Sequence, residues 1–238
     1  MANGKILNIE SMGLVDGPGI RTVVFMQGCP LRCLFCHNPE SWNMSEGQSM
    51  DSDELYKRIL RFRPYFERSG GGVTFSGGEP LLQREFLLDM LKKLKSAGIH
   101  TCIDTSGAVK GDFDEILRYT DLVLYDVKAV DTEGYRSICA GDISVTEDFQ
   151  RALVRNGTPT VIRQVVVPGI NDSDGYMIKL KDYIKEKIPH AHKVELLPYH
   201  LMGSHKYKKL GISEPLAGIS AMDKAKTEQF HKKYFEEI

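Results

Sequence analysis

Apolar residues change their spacing in a regular way along this chain. Short β-branched and aliphatic runs alternate with stretches where apolar residues recur every third or fourth position, so strand and helix signals follow one another. Residues 5–10 (Lys-Ile-Leu-Asn-Ile-Glu) make a first strand candidate. A glycine-rich bend at 16–21 leads into a buried strand at 21–27, Arg-Thr-Val-Val-Phe-Met-Gln, which Gly28 ends. Asp51, Ser52 and Asp53 cap a helix carrying Leu55, Ile59 and Phe62. Further strands are predicted at 73–75, 99–104, 122–126, 160–167 and 193–197. Helices are predicted at 81–96, 113–119, 144–155, 174–187 and 221–234.

Strand and helix alternate about six times, the pattern of a parallel sheet with right-handed crossovers. A barrel and an open doubly wound sheet both satisfy it. A full eight-fold barrel needs about 250 residues, so 238 residues fit a partial (β/α)6 TIM-like barrel better. Nearly every unusual residue falls in a loop that follows a strand, where parallel α/β folds carry their chemistry. No repeat or linker divides the chain, so one domain is expected over 1–238.

Composition narrows the function classes. With 42% hydrophobic and 26% charged residues the chain has enough apolar material for a sizeable core. A formal charge of −1 argues against general nucleic-acid or membrane binding. No apolar run approaches the roughly 20 residues that span a bilayer. The first residues lack the apolar core of a signal peptide, and five cysteines is an odd number, so a reducing cytoplasm is expected rather than a disulfide framework.

Three of those five cysteines, Cys29, Cys33 and Cys36, lie within eight residues, spaced C-x3-C-x2-C. A structural zinc site needs a fourth ligand, and no second C-x2-C pair is present. A ferredoxin-like carrier would take its fourth thiolate from Cys102 or Cys139, which read instead as small buried hydrophobes. The third possibility is a four-iron cluster held at three irons, its fourth iron open to a small molecule.

With Phe35 just before the last cysteine, the triad resembles the radical S-adenosylmethionine superfamily. More narrowly, the chain is similar to the activating enzymes of pyruvate formate-lyase, from about Ile9 to beyond Leu210. The similarity runs through Asp16-Gly-Pro-Gly-Ile-Arg21, Gln27-Gly-Cys29, Cys36-His-Asn38, Ser69-Gly-Gly-Gly-Val73, Ser76-Gly-Gly-Glu79, Thr101-Cys-Ile-Asp-Thr105, Arg163, Val165-Val-Val-Pro-Gly169 and Leu196-Leu-Pro-Tyr-His200. It implies a [4Fe-4S] cluster on Cys29, Cys33 and Cys36. It also implies S-adenosylmethionine on the open iron, and reductive cleavage to a 5′-deoxyadenosyl radical that takes hydrogen from a glycine of the partner, pyruvate formate-lyase. Flavodoxin or ferredoxin is the implied electron donor.

The resemblance assigns cofactor contacts to Phe35, His37, Gly78, Glu79, Asp126, Val127, Lys128, Arg163 and His200. It assigns a monovalent cation to Asp104, Thr105 and Asp126, and partner contact to Asp16 and Arg21. Read alone, Gly77-Gly78-Glu79 is a tight turn with a capping glutamate, and Lys128 is a surface lysine. Arg163, inside a buried strand, needs either a core acid or a ligand. Residues 38–76 contain none of the extra ferredoxin-type cysteines of many related activating enzymes, which favours the pyruvate formate-lyase branch over another glycyl radical partner. A non-catalytic zinc-stabilised binding module is the alternative from another class.

Overall fold

The computed structural model describes residues 2–238. In chain order its elements are β1 (Asn3–Gly13), β2 (Arg21–Met26), β3 (Gln48–Asp51), α1 (Ser52–Leu60), α2 (Arg63–Ser69), β4 (Gly72–Gly77), α3 (Arg84–Ser96), β5 (His100–Thr105) and α4 (Asp114–Arg118). There follow β6 (Leu122–Asp126), α5 (Thr132–Cys139), α6 (Glu147–Asn156), β7 (Thr160–Val166), α7 (Asp174–Lys187), β8 (Lys193–Pro198), α8 (Ser204–Leu210) and α9 (Lys224–Tyr234).

All eight strands form one sheet in the order β3-β1-β2-β4-β5-β6-β7-β8. From β2 through β8 the pairs are parallel, six strands joined by helical crossovers, as in a partial barrel. β1 departs from that pattern, running antiparallel to both β2 and β3.

Side chains alternate along each parallel strand. Ile103, Val123, Tyr125, Ile162 and Val194 belong to the main core, into which α3 sends Leu87, Met90, Leu91 and Leu94. The opposite face of the same strands contributes a small separate cluster of Cys102, Leu122, Leu124 and Val161. Farther along that face stand Ser76, Asp104, Asp126 and Arg163.

Several predicted boundaries move. The helix expected from Leu81 begins with a 3-10 turn, Pro80–Gln83, because Pro80 has no N–H and the Glu79 carboxylate caps Leu81 N. Four elements lie outside the predicted set. β3 has one buried residue, Met50, and no apolar alternation; its pairing with β1 makes it a strand. α2 continues the predicted first helix beyond a break at Arg61 and Phe62. α5 is capped by Asp131, which accepts from Gly134 N, and α8 is a lysine-rich single-sided helix that buries Tyr207.

Candidate radical site

The cysteine loop leaves the end of β2 and is held on three sides by main-chain bonds. Gly28 N donates to Ser41 O at 2.6 Å, tying its start to the following turn. Arg32 N and Leu34 N, flanking Cys33, donate to Cys139 O and Ile138 O, both at 2.9 Å, so the end of α5 carries the middle of the loop. The Tyr207 hydroxyl of α8 donates to Cys36 O at 2.9 Å. Buried Gln27 braces the base, its amide donating to Glu40 O and Asn43 O. Gly28 has φ +93°, and a Cβ there would meet Met44 Sδ at 2.3 Å, so only glycine fits.

The three thiols line one cavity of about 240 Å³, with Gly77 and Gly78, Ser76, Asp104, Asp126, Lys128 and Arg163 across from them. The glycines follow from packing. Gly78 N donates to Met26 O, Glu79 N to Gly28 O, and a Cβ on Gly78 would strike Gly28 O at 2.1 Å. β4 therefore passes against the root of the cysteine loop with its backbone facing the cavity. Lys128 Nζ bonds Asp126 Oδ2 at 2.6 Å and lies 5.7 Å from the Phe35 ring. Burial pulls Lys128 down, but Asp126, Cys33 and Asp104 outweigh it, and the ammonium is held above its ordinary range. Arg163 answers the buried-charge question both ways. It lines the cavity and also meets Glu195 at 3.2 Å, Asp104 at 3.9 Å and the Val15 carbonyl.

Asp104 is buried with one oxygen unpaired. Its Oδ2 accepts from Ser76 at 2.7 Å, while its Oδ1 is buried with no partner. Burial, then the neighbouring Asp126 charge, push its carboxyl up to about 7 against the pull of Arg163. Burial likewise raises the thiols of Cys29, to about 12, and of Cys36. At Cys33 the largest upward push is a hydrogen bond with Cys139, ahead of burial. Such thiols need a cation to become thiolates.

Several expected contacts lie elsewhere. The Glu79 side chain does not face the cavity: it is fully buried behind it, accepting from Thr105 and Ser106 hydroxyls and from Leu81 N and Ser106 N. That fixes Thr105 as well, its hydroxyl turned to Glu79 at 2.5 Å and away from Asp104 and Asp126. The Val127 side chain packs in the core just past the end of β6, and its N–H donates to Arg163 O. Arg21, expected at the partner contact, is completely buried, donating to Thr74 Oγ1, Val73 O and Pro18 O. Asp16 does line the cavity, its carboxyl raised by burial. His200 lines an adjoining small pocket and stacks on His37 at 4.0 Å, with His37 Nε2 bonded to His200 O.

Cys102 is a buried apolar residue as expected, whereas Cys139 is buried directly beside Cys33. Phe25, Ser76, Val165 and Leu197 line the cavity without having been assigned a site role. Inward alternation on β2, β4, β7 and β8 was the available signal.

The Radical SAM superfamily pattern matches residues 23–180. The pyruvate formate-lyase-activating enzyme of Clostridium pasteurianum is 54% identical over 238 residues, covering 100% of this chain and 99% of that one. The chain belongs to the radical SAM superfamily, among the pyruvate formate-lyase-activating enzymes. The Staphylococcus epidermidis enzyme of that name is 45% identical over 231 residues, 94% of this chain and 92% of its own. A solved domain of the Bacteroides vulgatus pyruvate-formate lyase-activating enzyme superposes with a TM-score of 0.54 at 27% identity, over 68% of this chain and 91% of that domain.

Membership implies a [4Fe-4S] cluster and S-adenosylmethionine as cofactors of this radical SAM protein. The donor set fits them. Three thiols from one loop surround a cavity, and among the described residues no three Cys, His, Asp or Glu groups converge tightly enough for a single metal ion. Among the described residues no helix is long and apolar enough to cross a membrane.

Proposed function

We propose that this protein activates pyruvate formate-lyase, in the anaerobic cytoplasm, by creating a glycyl radical on it, and that residues 1–238 act as one domain. The observation that carries this reading is the cavity itself: three thiols on one rim and, on the other, the Gly77–Gly78 backbone and the Asp126–Lys128 pair. When bound, the cluster and S-adenosylmethionine supply an electron and a 5′-deoxyadenosyl radical. Cys29, Cys33 and Cys36 hold the cluster. The Gly78 backbone and Lys128 hold the amine and carboxylate of the methionyl end, and Phe35, His37 and His200 flank the adenine side. Arg163 orients what binds between β7 and the 14–18 turn, since it joins the Val15 carbonyl to the cavity.

Asp104 Oδ1 and Asp126, with the Thr105 carbonyl rather than its hydroxyl, are the oxygen donors for a monovalent cation, which would relieve the unpartnered Asp104 oxygen. Glu79 acts one layer back, locking Thr105 and Ser106 in place. The partner glycine enters past Asp16, and the lack of a side chain lets its backbone thread to the cavity.

The test is anaerobic reconstitution with iron and sulfide, then reduction with S-adenosylmethionine and pyruvate formate-lyase. A glycyl doublet in the spin-resonance spectrum is expected. Deoxyadenosine without that doublet means another glycyl radical partner. A colourless protein with one zinc and no sulfide sinks the radical reading altogether.

A further inference from the structure

The electron must reach the cluster by a route that leaves the barrel interior free for cofactor and polypeptide. The side of the cysteine loop that faces away from the barrel is covered by α8 and the turn before it. Residues 200–212, His-Leu-Met-Gly-Ser-His-Lys-Tyr-Lys-Lys-Leu-Gly-Ile, contain three lysines, two histidines and no carboxylate. Of the lysines, Lys206 is spent on the loop, bonding Asn38 Oδ1 at 2.7 Å and Glu40 at 2.6 Å. Lys208 and Lys209 are exposed, and among the described residues neither has a carboxylate partner. Nearby Glu214 is turned inward to accept from Ser204.

The same segment holds apolar side chains in solvent: Met202 is 75% exposed, Leu201 48%, and Leu210 and Ile212 are also exposed. An apolar centre with a charged rim is how protein interfaces are built. Beneath it, one buried side chain leads to the cluster loop. The Tyr207 ring spans from α8 to Cys36 O at 2.9 Å and packs edge-on against Trp42, which Arg32 covers at 4.9 Å.

We propose that the face formed by α8 and the 201–202 turn is the docking surface for an acidic one-electron carrier protein. Its Lys208 and Lys209 steer the carrier, and Met202 and Leu201 seat it over Tyr207. This rests on the reading that the three thiols hold a reducible cluster. The carrier is oxidised by one electron and the cluster reduced by one; no bond forms or breaks. Charge complementarity favours the acidic carrier, because Glu40 and Glu214 at this face are already engaged while Lys208 and Lys209 keep their charges exposed.

The probe is a bacterial flavodoxin reduced to its hydroquinone, mixed anaerobically with the reconstituted enzyme, with dithionite as the small-molecule control. Substituting Lys208→Glu together with Lys209→Glu should slow cluster reduction by flavodoxin about tenfold or more at low ionic strength. The difference should fade as salt rises and the charges are screened. Flavodoxin binding, followed by calorimetry, should weaken in parallel, and Lys208→Arg with Lys209→Arg should restore both. Dithionite-driven reduction and glycyl radical yield should stay at the wild-type level.

Wild-type flavodoxin rates and salt dependence in the double Glu variant overturn the proposal. An equal loss with dithionite also overturns it, since the face then serves the fold or the protein substrate. If wild-type protein reconstituted with iron and sulfide takes no electron even from dithionite, the underlying radical reading has failed, and this inference with it.

Discussion

Two residues along a strand separate two different interiors in this molecule. On β5, β6 and β7 the inward positions Cys102, Leu122, Leu124 and Val161 form a buried apolar cluster. One inward step later the same strands present Asp104, Asp126 and Arg163 to a cavity. Backbone, hydrogen-bonding partners and direction are shared, so the difference lies in what the side chains are asked to do. The lower set removes apolar surface from water and is complete without a ligand. The upper set leaves Asp104 Oδ1 unpartnered and lifts the Asp104 carboxyl to about 7, a strained arrangement that a bound group would relieve. Stability and chemistry are thus stacked along one barrel, with chemistry at the C-terminal ends of the strands.

Substitutions at the two levels should separate these roles. Cys33→Ala has the largest expected effect: iron and sulfide per chain after reconstitution fall below stoichiometry, and S-adenosylmethionine cleavage drops to background. At the lower level, Leu124→Ala should cost about 2–5 kcal/mol of stability through the lost contacts and the cavity left behind, read by denaturant unfolding. The folded fraction should keep its affinity for S-adenosylmethionine. If that affinity also collapses, the two levels are not independent.

Lys128→Met leaves Asp126 and Asp104 without their nearest ammonium. Weakening of S-adenosylmethionine binding by about tenfold or more is expected, a loss of about 1.4 kcal/mol or more, measured by calorimetry on the reconstituted protein. Glu79→Ala strands the Thr105 and Ser106 donors, and a loss of about 1–3 kcal/mol in unfolding free energy is expected.

The smallest effect is in pH dependence. Asp104 holds its proton to about pH 7 when folded, whereas an unfolded aspartate loses it near its ordinary value of 3.8. The native state therefore binds more protons across that window, and this group's contribution to stability falls as pH rises from about 4 to about 7. In cluster-free protein, Asp104→Asn should flatten that part of the melting-temperature profile. An unchanged slope would mean that Asp104 ionises normally.

Much of the upper level was readable before any fold was known, because its residues carry local signals. The cysteine spacing, Gly77-Gly78 at a strand end and Asp126-Val-Lys128 at another are short contiguous motifs. Arg163 was legible for a different reason, a charge inside a β-branched run that demands a partner. Side-chain direction is what these local motifs leave open. Glu79 adjoins a cavity-lining glycine and Val127 sits between two site residues, yet Glu79 turns to Thr105, Ser106 and Leu81 N and the Val127 side chain packs in the core. Arg21 belongs to a motif that looks exposed, and Thr74, 53 positions later, draws it into the interior.

By itself the sequence determined the alternation of strand and helix, the loop that carries three thiols, and the family to which the chain belongs. Those properties rest on spacing and residue type within a few positions. Only the tertiary structure decided which oxygen of Asp104 stays alone, that the end of α5 carries the cysteine loop, that β3 becomes a strand by pairing with β1, and that α8 covers Cys36 with a cationic face. Each of these depends on groups far apart in the chain, from Arg32 and Cys139 to Cys36 and Tyr207, and long-range pairing leaves no mark in local periodicity.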